Sequence, residues 1–410
     1  MTLQYCKSRL NILAVLMIVP LLTAKTSFAY HDDKIIDDIH LFDETFLDIN
    51  SNDFRKSLDL VWLDTLSGWR MGGGSISTDY LFLQTHLKLN HQLSEKFELG
   101  LDLEQVDFYS QANVETPLLY MDVYPFAAAD IGLSFLGTAA VDKRQSDLGF
   151  AVTIGRRPRN YIRLSWLSVD HYFNEKNSID DAYYQKSGDQ FLLQGSYLPA
   201  SQWRIFFDLE KRTPIDFIFD NQISRFQSEF YNYRIGVIHH IDRDQFAGVN
   251  ARTMRYVKSL AETASDESQD VDYQMLDMYW VKVIDRESEL TVGLRYDDFN
   301  EQFYDRRNPA NDYNYQLETL QAYLSLHHDY VIHQAWGLGV YAGWSERGKR
   351  YPAAANQDEV NDGVQAQLRV SWEYHSADKS SRLVFNFGLN LDDLSNDPGD
   401  GGGIYFQTQF

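Results

Sequence analysis

From about residue 57 to its end, the chain alternates apolar and polar residues one for one in short runs. Leu81, Leu83, Leu87 and Leu89 fall on one side of such a run, and Phe82, Gln84, His86 and Lys88 on the other. Phe97, Leu99, Leu101 and Leu103 oppose Glu98, Asp102 and Glu104. Val364, Ala366, Leu368, Val370 and Trp372 oppose Gln365, Gln367, Arg369, Ser371 and Glu373. A period of two belongs to extended backbone, whose successive side chains point to opposite faces. The pattern predicts an all-β chain whose sheet has one apolar and one polar face.

The connections between runs are of two kinds that interleave strictly. Eight are short, such as His91 to Lys96, Asp242 to Asp244 and Ser376 to Ser380. Nine are mostly longer and polar, among them Ser67 to Ser77, Lys211 to Arg225, Lys258 to Asp270, Asn300 to Asn314, Glu346 to Asn361 and Asp392 to Gly402. This count predicts about eighteen strands with both ends on one side, the even parity of a closed up-and-down barrel. Sixteen is the alternative, because the first segment, Leu58 to Leu66, is faint. A soluble sandwich packs its apolar faces together. A membrane barrel turns its apolar face to lipid and its polar face to a wet lumen. Periodicity is the same for both.

The amino-terminus favours the second. Lys7 and Arg9 precede the apolar stretch Leu10 to Leu22, and Ser27-Phe28-Ala29 is a small-x-small cleavage signal. Residues 1–29 therefore read as a secretory leader. Cys6, the only cysteine, lies within it, so the exported chain is expected to carry no thiol, disulfide or lipid anchor. The leader contains Lys7, Arg9 and Lys25 and no acid, so its removal takes the net charge from −22 to −25. That acidity argues against nucleic acid. No later apolar run reaches the roughly 18 residues of a helical span. Aromatics are 14% of the chain, and barrels use them as girdles at both membrane interfaces. Residues 30–56 are acidic, with Ile35, Ile39, Phe42, Phe46 and Ile49 on one helical stripe. A lumen plug, a periplasmic docking helix and a frayed leader all remain open for this piece. Residues 57–410 form the expected barrel.

The last residues read GIYFQTQF, with Ile404, Phe406, Thr408 and Phe410 on one face. This stretch resembles the closing strand of Gram-negative outer-membrane β-barrel proteins. The resemblance implies that these four residues are the signal read by the insertion machinery. It also implies an outer-membrane, multi-pass, porin-like protein whose surroundings are outer-membrane lipids and lipopolysaccharide.

No GxSxG, HExxH or phosphate-binding glycine loop is present, and no enzyme, cofactor or metal centre is expected. The acidic stretches Glu262 to Asp272 and Asp392 to Asp400 lack the calcium-loop pattern. His239-His240 and His327-His328 are adjacent pairs, and adjacent residues on a strand face opposite ways, so neither pair can chelate together. Parity turns Arg163, Arg204, Arg234, Arg252, Arg295 and Arg369 inward, and also Glu98, Asp102 and Glu104. Two readings are open: opposed rows of charge across a channel, or wall charges that pair with their neighbours. The expected function is a channel for small hydrophilic solutes. The alternatives are an export channel for an anionic polysaccharide and a non-conducting receptor, adhesin or scaffold barrel.

Overall fold

The computed structural model describes residues 66–410 apart from 77–79, 109–111, 127–129, 138–147, 158–159, 169–181, 187, 220–224, 262–265, 286, 354–357, 392–393 and 395–398. The expectations for residues 1–29 and 30–56, and for most of Leu58 to Leu66, lie outside the described residues.

The strands are β1 (Gly68–Ile76), β2 (Tyr80–Ser94), β3 (Phe97–Phe108), β4 (Ala112–Phe126), β5 (Ile131–Gly137), β6 (Leu148–Arg156), β7 (Asn160–Ser168), β8 (Ala182–Lys186), β9 (Asp189–Ala200) and β10 (Trp203–Phe219). They continue as β11 (Arg225–His240), β12 (Gln245–Ala261), β13 (Asp266–Val283), β14 (Ser288–Asp305), β15 (Tyr313–Val331), β16 (Gln334–Arg350), β17 (Glu359–His375), β18 (Ser381–Asn390) and β19 (Gly399–Gln409). Sequence neighbours pair antiparallel except around β8, where β7 pairs with β9, and β1 pairs with both β2 and β19, which closes the ring. The segments β8 and β9 both lie along β10, β8 at its far end, and act as one interrupted stave. The fold is thus a closed antiparallel barrel of eighteen staves, as the turn parity predicts. Closure removes the exposed sheet edges that would otherwise invite further pairing.

The apolar face points out. On β6, Phe150, Val152 and Ile154 are exposed while Ala151 and Thr153 between them are buried. On β7, Ile162, Leu164 and Trp166 are exposed, and Arg163 and Ser165 are buried. The same inversion holds on β16, where exposed Leu338 and Val340 flank inward Gly339. Exposed apolar residues between buried polar ones are the reverse of a soluble core, and suit a surface solvated by lipid chains. Ile404 and Phe410 are exposed on this outer face. Phe406 shares it and meets the Trp69 ring edge-on, with centroids 5.6 Å apart.

The expected loop at Ser67 to Ser77 is instead strand β1. It pairs with β19 from Gly68↔Gln409 to Ser75↔Gly402. Gly72 to Gly74 read as a turn because glycine has no side chain to pack. The Tyr405 ring covers Gly72 from the neighbouring strand and occupies that empty space. Several other expected loops are shorter than their polar sequence implies. β10 continues to Phe219, β12 to Ala261, β14 to Asp305 and β16 to Arg350. The hydrogen bonds of a ladder come from the backbone, so polar side chains do not end it: Lys211 and Arg212 on β10 and Glu346, Lys349 and Arg350 on β16 all stay paired with the neighbouring strand.

Candidate channel wall

The short-turn end of the inner wall carries an ion-pair network that spans β3, β4 and β7. Arg157, at the β6–β7 turn, places Nη2 2.7 Å from Asp122 Oδ2 and 3.0 Å from Glu98 Oε1. Arg163 Nη2 lies 3.4 Å from Asp122 Oδ1. The Tyr120 ring sits beneath both guanidiniums, 4.3 Å from that of Arg157 and 5.1 Å from that of Arg163. Asp122 is fully buried, a position a carboxylate tolerates only with such partners. Gly155 takes φ +87 in the turn that delivers Arg157, a conformation that suits a residue without Cβ.

A second feature runs across the strands. Register connects Arg163 to Gln194, Gln194 to Asp208, Asp208 to Arg234, Arg234 to Arg252, and Arg252 to Met275. One row of the inner face thus crosses β7 to β13, with arginine at three of its six positions and Asp208 beside Arg234. Arg204 is nearby on β10, buried, and donates from Nε to Ser196 Oγ at 3.1 Å. Arg234 and Arg252 are half-buried and directly opposite one another. Arg252 donates from Nε to Asn232 Oδ1 at 2.9 Å and lies 5.9 Å from the Tyr273 ring centre. Arg234 lies 5.8 Å from the Phe206 ring centre. Like charges opposite each other on neighbouring strands destabilise a sheet.

Farther round the ring, carboxylates are held by tyrosines. Tyr273 Oη donates to Asp297 Oδ1 at 2.8 Å, Tyr323 Oη to Asp277 Oδ1 at 2.8 Å, and Tyr313 Oη to Glu301 Oε1 at 2.9 Å. Arg295 Nε lies 2.8 Å from Asp297 Oδ2. Arg369 is stacked 4.7 Å from the Tyr341 ring centre.

The residues singled out from sequence therefore separate. Arg163 and Glu98 belong to one paired cluster. Arg295 is paired with Asp297, while Arg204, Arg234 and Arg252 remain together on adjacent strands. Asp102 and Glu104 lie on β3, and their side chains fall outside the described residues. Arg157, Asp122 and the tyrosine–carboxylate pairs escaped the sequence reading. Arg157 sits in a turn, where strand parity says nothing of direction. The adjacent histidines do split between the faces. His327 is buried inside, while His328 faces out within 2.9 Å of Ser288 Oγ. His239 stacks on exposed Trp203 at 4.2 Å.

No family model matches the chain, and no curated protein matches it. Among solved structures it is similar to OccK11 (OpdR) of Pseudomonas aeruginosa, at TM-score 0.42 and 12% identity, covering 85% of this chain and 96% of that one. It is similar to a bacterial polysaccharide outer membrane secretin at TM-score 0.40 and 11% identity, covering 85% of this chain and 99% of that one. It is also similar to a loop-deletion mutant of OmpT of Vibrio cholerae at TM-score 0.35 and 10% identity, covering 84% and 97%.

Proposed function

We propose that this closed, lipid-facing barrel is a non-enzymatic outer-membrane channel for small hydrophilic solutes, with its short turns on the periplasmic side. Arg204, Arg234 and Arg252 form its charge-reading wall. The observation that carries this reading is the direct cross-strand placement of Arg234 and Arg252 on the inner face. Two half-buried guanidiniums side by side cost stability, and they supply a positive field to whatever passes. Fixed charges on a channel wall select permeants and orient their dipoles.

The experiment is the reversal potential of the full-length protein in a planar bilayer under a salt gradient. Arg234→Gln with Arg252→Gln should move selectivity towards cations. The shift should shrink at about 1 M salt, where the screening length falls to about 3 Å. An unchanged reversal potential at low salt overturns the role of this pair. A complete absence of channels in the parent protein favours the receptor, adhesin or scaffold alternative. Export of an anionic polysaccharide predicts block of the current by a polyanion, and solute passage alone does not.

A further inference from the structure

The inner wall near the short-turn rim is not uniformly polar. Phe206 on β10, Ile238 on β11, Phe246 on β12, and Tyr279 and Val281 on β13 belong to one apolar cluster there. Phe246 lies directly opposite Val281, and Ile238 lies opposite Gly248, whose bare backbone is covered by the Tyr279 ring. All five side chains are 7% exposed or less, and Ile238 and Val281 have no exposed surface. Wall neighbours shield the edges of the rings: Phe246 and Tyr279 meet edge-on, with centroids 6.4 Å apart. An eighteen-stave lumen is wide enough to hold water. Dry apolar side chains on its wall therefore need a cover from inside the ring.

The amino-terminal chain is delivered to the same rim. Phe410 N donates to the Ser67 carbonyl at 3.1 Å, and β1 sets out from there beside the end of β19. Residues 50–66 lie between Ser67 and the stripe of Ile35, Ile39, Phe42, Phe46 and Ile49. Extended, that connection reaches at most about 60 Å. Eighteen staves about 4.8 Å apart and tilted by about 40° make a ring roughly 35 Å across. The stripe can therefore reach β11, which stands nine staves round the ring from β1 and so directly across the lumen. Charge fits as well. Residues 30–56 carry eight acids against Lys34, Arg55 and Lys56, and Asp38 and Asp43 border the stripe on a helical projection. On the wall, Arg234 borders the cluster at 5.8 Å from the Phe206 ring centre, between Arg252 and Asp208.

We propose that residues 30–56 dock inside the barrel, with their apolar stripe on the cluster of Phe206, Ile238, Phe246 and Val281 and their bordering acids beside Arg234 and Arg252. Apolar surface buried on both partners drives the docking, and the charges fix its register. A helix is about 10–12 Å across, so one wall is covered and the rest of the lumen stays open. The docked segment narrows the short-turn mouth and adds carboxylates to its lining. This inference does not depend on what the lumen conducts.

The test uses the full chain in outer-membrane vesicles, with Cys6→Ser throughout, so that introduced cysteines are the only thiols. Ile39→Cys, Phe42→Cys and Phe46→Cys are each paired with Phe246→Cys and treated with a mild oxidant. At least one pair should form a disulfide within one chain, read as a mobility shift on non-reducing gels of the unfolded protein and as a linked peptide by mass spectrometry. Pairing the same three with Val249→Cys, on the lipid face of the same strand, should give none. Should Phe246→Cys fail to fold, Tyr279→Cys takes its place. Adding Ile35→Asp and Ile49→Asp should cut the yield of the linked form several-fold. A folded barrel with no link from the stripe to the wall overturns the docking, and so does an equal yield with Val249→Cys. A link formed only between two chains also overturns it, because the cover is then a second copy. A yield untouched by Ile35→Asp and Ile49→Asp overturns the stripe as the docking face.

Discussion

The ring of Tyr120 on β4 fills the space that a side chain on Gly100 of β3 would occupy, and the same ring underlies Arg157 and Arg163. Glycine at position 100 thus positions the aromatic platform of the Arg157–Asp122–Glu98 network. Comparable pairs join Tyr279 to Gly248 and Tyr323 to Gly293. An inward tyrosine laid over a cross-strand glycine packs a wall that glycine alone would leave bare.

Gly100→Val should displace Tyr120 and cost about 1–3 kcal/mol, the usual penalty of overpacking. Comparing urea unfolding of the two proteins in detergent checks it. Tyr120→Ala should be similarly costly, and the double variant Gly100→Val with Tyr120→Ala should recover part of the loss. Fully additive costs would mean the two residues do not share that space.

Arg234 faces Arg252 on one side and Asp208 on the other, so removing its charge relieves one repulsion and gives up one attraction. Arg234→Gln is expected to change stability by less than about 1 kcal/mol, since an opposite-charge pair on a sheet is worth about 0.2–1 kcal/mol and the like-charge neighbour works against it. The same unfolding measurement reads it. A loss above about 1 kcal/mol would show that Arg234 is held by more than its cross-strand neighbour Asp208 and the Phe206 ring.

Leu368 and Gln367 are adjacent on β17 and face lipid and lumen respectively. Leu368→Arg should cost about 2–4 kcal/mol if the site lies near the midplane, and Gln367→Arg much less. Unfolding in lipid vesicles compares them directly. Equal costs would reverse the face assignment for β17.

Asp378, in the exposed β17–β18 turn, accepts from Ser376 Oγ at 2.6 Å, Ser380 Oγ at 2.9 Å and Ser380 N at 3.1 Å. The Ser376 hydroxyl, foremost among these donors, holds its carboxyl down at about 2 from an ordinary 3.8. A depressed carboxyl stabilises the folded state above the unfolded value and loses that contribution as the pH falls through the folded one. Asp378→Asn should therefore lower the unfolding midpoint above about pH 4, and the difference should close towards about pH 2. A difference that persists at low pH would assign the effect to turn geometry and not to charge.

Period-two alternation is a property of single strands, so it stood in the sequence before any partner was known. Leu164 beside Arg163 and Phe387 beside Asn386 already declare two faces. The interleaving of short and long connections likewise determined an even ring with both ends on one side. Only the closed sheet decided that the apolar face is the outer one, because burial belongs to the assembled wall and not to a strand. The same holds for partners. Arg157 reaches Glu98 and Asp122 across 59 and 35 residues of chain, and His327 Nε2 comes within 3.5 Å of Glu373 Oε2 across Ala335 and Gly337 of β16. Gly72 became part of a strand because Tyr405 covers it. These pairings are set by register and by side-chain reach between distant segments, which local pattern does not encode.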